Sequence, residues 1–148
     1  MTNNEYIKAY KKTQQSTNTV TSSHEIVRTL MKELVNSMQK LVLDIQDERA
    51  RKVDKFTADT GQHDKNIQKK SKNLSKSLSI IYGLQTSLDF DKALEIANNL
   101  FQLYEYCRQE IIKGFSQKIE DGIIKAIDII KQIMEGWEEI PSFERKDG

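Results

Sequence analysis

The chain has 148 residues, a length that suits one domain, and only 37% of it is apolar while 30% is charged, with six Gly and a single Pro. That balance disfavours a turn-rich β fold and suits helices with charged outer faces. The net charge of +1 supplies no overall field to gather nucleic acid or an acidic membrane, and no stretch approaches the ~20 apolar residues that a bilayer-crossing helix needs.

Residues 1–21 form a polar segment rich in Asn, Gln, Thr and Lys, whose possible anchors are Tyr6, Ile7, Ala9 and Tyr10. They hold no apolar run of signal-peptide type, so a soluble, cytoplasmic chain is expected. Ser22 and Glu25 then have the spacing of a capping box, in which the hydroxyl takes an orphan amide of the first turn and the carboxylate reaches back. A helical domain is therefore expected over 22–140, with a polar tail at 141–148.

The first helix carries a broad apolar face: Ile26, Val27, Leu30, Met31, Leu34, Val35, Met38, Leu41, Val42 and Ile45 recur at steps of one and three. The pattern lapses between Gln46 and Asn73, and the spacing predicts a projecting polar extension near 46–70 with a turn close to Thr60–His63. A second amphipathic helix resumes through Leu74, Leu78, Ile81, Leu84 and Leu88. Asp89 or Asp91 is the expected cap of the third helix, and Gly114 its stop after about Ile112. The fourth, with Ser116 as its expected cap, has Ile119, Ile123, Ile127, Ile130, Met134 and Trp137 at three-and-four spacing, and Pro141 limits its continuation. Short connections return each helix alongside the one before, which makes the expected fold an all-α, antiparallel four-helix bundle.

Signatures of catalysis are scarce. There is no Gly-rich phosphate loop and no nucleophile elbow. His24 and His63 are 39 residues apart, both expected to face water, and neither belongs to the E-x-x-H pairs of di-metal bundles. Glu33, Asp44, Asp47 and Glu48 read as ordinary outer-face carboxylates. No enzyme, metal or cofactor is expected. Lys65, Lys69, Lys70, Lys72 and Lys76 could bind phosphates, but the segment lacks stacking aromatics and reads as a solvated helix face. The single cysteine, Cys107, continues an apolar row and reads as a small buried hydrophobe, with no intramolecular disulfide available to it.

The third helix is the most informative element. In "SLDFDKALEIANNLFQLYEYC", Ser87 to Cys107, positions 93, 97, 100, 104 and 107 make one apolar row, continued by Ile111. Leu94 and Phe101, seven residues apart, make a second row beside it. Either the helix is buried on two sides or the second row lines a groove that a partner helix covers. Helical spacing gives the angle between rows and not which one faces inward.

In the same stretch Ser87, Leu88 and Asp89, then Glu95, Ile96, Ala97, Asn99, Leu100, Leu103, Tyr104 and Tyr106 stand in an SLD...EIA-x-NL-x-x-LY-x-Y arrangement. Here the chain resembles the flagellar secretion chaperones, the export chaperones for flagellin. "LSKSLSIIYGL" upstream is similar to that family's I-x-K-A-x-x-I-I-x-x-L stretch, "YIKAY" to its short motif ending in A-Y, and Trp137 with "ERKD" to its usual ending. Lys32, His24, Ala93-Leu94 and Lys113-Gly114 depart from the pattern, and mark a diverged member.

The resemblance implies a bundle that holds the disordered C-terminal part of flagellin as short helices and keeps it monomeric in the cytoplasm until the flagellar export gate receives it. It also implies that Ile7 and Tyr10 plug part of the groove in the free state. Partner contacts are accordingly expected at Ile7, Tyr10, Leu94, Phe101 and Tyr104, with Ala97, Leu100 and Tyr104 in the bundle-facing row. No nucleic acid and no membrane insertion are expected, and the chain is expected to be a monomer or weak homodimer. The rival readings are an adaptor for another flagellar or regulatory protein, a nucleic-acid binder using the Lys65–Lys76 face, and a constitutive homodimer without a client.

Overall fold

Ile26, Leu30, Met31, Leu34, Met38, Leu41 and Ile45 wind onto one face of a 30-residue helix, α1 (Ser23–Lys52), and all seven are buried. The structure, a computed structural model, describes residues 23–52 and 60–139. Three further helices follow: α2 (Thr60–Thr86), α3 (Leu94–Gln117) and α4 (Asp121–Glu139), and no strand occurs among the described residues. The all-α bundle expected from the periodicity is what forms.

Each helix packs on two neighbours, α1 against α2 and α4, and α3 against the same two, so α1 and α3 face each other across a diagonal. Cross-helix pairs give the directions. Ser37 meets Ser77, Asp44 meets Asn73 and Glu48 meets Lys70, numbers rising on α1 as they fall on α2. The same inverse order links α1 to α4 through His24 with Trp137 and Arg49 with Glu120. All neighbours are antiparallel. The core between them is filled by the α1 face, Ile80, Ile81 and Leu84 of α2, Tyr104, Cys107 and Ile111 of α3, and Ile123, Ala126, Ile127 and Ile130 of α4.

Ser37 and Ser77, buried where α1 meets α2, satisfy each other together with carbonyls of their own helices. One of the Ser37 and Ser77 hydroxyls donates to the other across 2.8 Å, while the second donates to a carbonyl of its own helix. At one end His24 and Trp137 stack with ring centroids 5.1 Å apart, and Trp137 Nε1–H donates to the His24 carbonyl at 3.1 Å. His24 is buried, contrary to the expectation that it faces water, because α4 reaches back to the start of α1. The side chain of His63 lies outside the described residues.

Several boundaries differ from the spacing-based ones. Residues 60–63 are helical, so the turn expected there is not found, and α1 continues to Lys52. The capping box involves Ser22, which lies outside the described residues. Asp89 caps a turn rather than α3: its Oδ1 accepts the amides of Asp91 and Lys92 at 3.0 and 3.1 Å, and Ala93 occupies the N-cap with no side-chain bond. Gly114 is buried inside α3 and does not stop it. The helix ends instead at Lys118, whose left-handed backbone (φ 60°) returns an amide to the Gly114 carbonyl. Ser116 consequently lies in α3, and Ile119, expected in the α4 core row, is exposed in the connection.

Candidate partner-binding site

On α3 the row Ala97, Tyr104, Cys107 and Ile111 is buried, and Leu100 is partly so. This row faces the bundle. A helix turns by about 100° per residue, which carries Leu94 and Phe101 to its flank. Leu94 is 60% exposed and Phe101 is half-buried. The edge of Phe90, from the connection shaped by Asp89, packs on Phe101 with centroids 6.2 Å apart. Helical spacing does not point to Phe90, since its position depends on the turn.

One turn past Phe101 the strip becomes polar. Glu105 accepts from Arg108 Nε at 2.9 Å through Oε1 and 3.0 Å through Oε2, and an Arg108 terminal nitrogen also donates to Oε1. Gln85 reaches over from α2, its Nε2 donating to Glu105 Oε2 at 3.1 Å and to the Phe101 carbonyl at 3.4 Å. The Arg108 and Gln85 bonds hold the Glu105 carboxyl far below the ordinary range, at about 2. Ile112, 37% exposed, resumes the apolar surface beyond. The i, i+3 spacing of Glu105 and Arg108 is a signal readable in the sequence, but their meeting with Gln85 is tertiary.

The structure corrects one member of the contact set. Tyr104 is 2% exposed, so its ring belongs to the core and offers no surface to a partner. Burial also pushes its phenol upward and the neighbouring Cys107 thiol up to about 12, which suits an inert packed cysteine. Ile7 and Tyr10 lie outside the described residues.

The lysine face is divided rather than uniformly solvated. Lys65, Lys69 and Lys72 are exposed, but Lys76 pairs with Glu33 at 2.8 Å. Lys70 is buried, with its Nζ 2.7 Å from Glu48 and 4.3 Å from the centre of the Phe115 ring. Glu48 and Asp44 are likewise partnered across the α1–α2 seam and are not simple outer-face carboxylates. Among the described residues no group of three or more His, Cys, Asp or Glu could hold a metal ion, and no helix is long and apolar enough to cross a membrane.

Comparison with known proteins bears on the chain as a whole. The family model "Flagellar protein FliS" matches residues 6–144. A protein named flagellar secretion chaperone FliS from Vibrio cholerae serotype O1 is 33% identical over 76 residues, 51% of this chain and 56% of that relative. One of the same name from Salmonella typhimurium is 33% identical over 72 residues, 48% of this chain and 53% of the relative. The chain thus spans about half the length of the curated relatives it matches. No solved structure matches.

Proposed function

The chain belongs to the flagellar protein FliS family, and from that premise we propose that it is a flagellar secretion chaperone acting on the disordered C-terminal segment of flagellin. It holds that segment in the cytoplasm, prevents premature polymerisation and delivers it to the flagellar export apparatus. The observation that carries this reading is the exposed Leu94 beside the half-buried Phe101, on a helix whose other row already fills the core. Such a flank is available to an apolar helix face laid along it.

Binding a disordered tail requires that burial, at ~25 cal/mol per Å2 of apolar surface, exceed the cost of ordering the tail. A contact made in several short pieces meets that requirement while each piece stays weak, so release can proceed stepwise at the export gate. Ile7 and Tyr10 would compete for the same strip in the free chain, lowering apparent affinity and limiting self-association to a monomer or weak homodimer. Deleting residues 1–19 is then expected to tighten client binding, and unchanged affinity with unchanged oligomeric state removes the plug.

Calorimetric titration of the full chain with a peptide covering the C-terminal segment of flagellin tests the main proposal. Saturable binding with a negative heat-capacity change and little salt dependence is expected. Phe101→Asp should weaken that binding while leaving the helical circular dichroism and melting curve nearly unchanged. Wild-type affinity in the variant, or its failure to fold, would rule out this strip as the docking surface. Steeply salt-dependent affinity for nucleic acid, without peptide binding, would favour the lysine face instead.

A further inference from the structure

The strip on α3 is apolar along only part of its length. Leu94, Phe101 and Arg108 follow at seven-residue steps, so they lie nearly in line, two turns apart. Glu105 and Ile112 sit beside that line. Both Glu105 oxygens are engaged, by the Arg108 fork and by Gln85 Nε2. Arg108 is in the opposite state. A guanidinium has five N–H donors, and the Glu105 pair uses the Nε–H and one terminal N–H. Among the described residues the other donors have no partner, on a side chain that is 40% exposed.

A wholly apolar helix laid over this line would cover those donors and strip their water without replacing it, which is costly for a charged group. A helix that brings an oxygen acceptor to the same level completes them with charge-assisted hydrogen bonds. We infer that Arg108 determines the specificity and register of the docking strip. Its complement is an amphipathic helix with two apolar anchors about seven residues apart, covering Leu94 and Phe101, and an Asp, Glu, Asn or Gln a further two turns along the same face. Glu105 and Gln85 position the guanidinium and keep it from folding back into solvent. Docking at this strip, as proposed above, is the premise.

Two peptides are compared by calorimetry on the full chain: the flagellin C-terminal segment, and the same segment with the Asp, Glu, Asn and Gln of its amphipathic helices replaced by Ala. Wild-type protein should bind the parent peptide about tenfold or more tightly over the Ala-replaced one. Arg108→Leu should erase that difference, and Arg108→Lys should retain part of it, since an ammonium keeps the charge but not the fork. The Lys variant also serves where the Leu variant fails to fold, which melting curves reveal. Wild-type and Arg108→Leu proteins showing the same preference for the parent peptide would overturn the role of Arg108 and leave docking intact. No binding of either peptide to wild-type protein would overturn the docking proposal itself.

Discussion

Gly114 shows how a single residue sets the distance between two helices. A Cβ placed there would lie 2.7 Å from the Ile119 carbonyl oxygen and 2.7 Å from Ile123 Cδ1, and the backbone oxygen cannot step aside. Gly114→Ala should therefore destabilise the fold by about 1–3 kcal/mol through overpacking, read as a lower denaturant midpoint. Gly136 is the control within the same pair of helices, since a Cβ there meets nothing within 4 Å. Gly136→Ala should stabilise by about 0.5–1 kcal/mol through helix propensity alone. Equal effects at the two sites would mean that close approach at Gly114 is not what selects glycine. Sequence offered Gly114 as a helix stop because glycine commonly serves there, and nothing local distinguishes a stop from a tight crossing. His24 and Lys70 are buried against the local pattern for a related reason: a polar side chain is buried only when a partner arrives from elsewhere, here Trp137 from α4 and Glu48 from α1.

Among the elements, periodicity made the core faces legible and left the ends unreadable. The buried row of α3 and the flanking position of Leu94 and Phe101 follow from the angle between residues once one row is known to face inward. The end of α3 follows from no such rule: Lys118 takes a left-handed conformation that costs an L-residue roughly 1–2 kcal/mol, and its side chain reaches Glu48 at 3.3 Å. The α1–α4 seam is closed by a contact spanning 113 residues, which no window of sequence contains. Trp137→Phe keeps much of the ring packing on His24 but removes the Nε1–H bond and leaves the His24 carbonyl without that donor. The expected cost is about 1 kcal/mol, with the loss seen first as faster amide exchange at the start of α1 and the end of α4. Uniform exchange rates with an unchanged melting temperature would show that the clasp does not hold those ends.

For the whole molecule, charge that is nearly balanced in total is distributed unevenly. Glu48, Lys70, Lys118, Arg49 and Glu120 gather where α1 and α3 finish and α2 and α4 pack across them. Burial pulls the Glu48 carboxyl upward, but hydrogen bonds and charge from Lys70 and Lys118 outweigh it and leave the group below its ordinary value. Glu105, held at about 2 by Arg108 and Gln85, shifts in the same direction. A carboxyl depressed on folding binds fewer protons than in the unfolded chain. Its contribution to stability is therefore fully present above the unfolded value of about 4.3 and is lost as pH falls through the folded one. Denaturant midpoints should fall as pH decreases from about 4.3 toward 2, the lower limit being set by Glu105. Lys70→Met isolates the buried pair. Near neutral pH it leaves Glu48 charged with one partner fewer, whereas protonation of Glu48 as pH falls removes part of that penalty. The destabilisation by Lys70→Met should accordingly be larger at pH 7 than at pH 3, measured by urea unfolding at each. A difference independent of pH would assign Lys70 to packing against Phe115 alone, since the cation over that ring is lost equally at both.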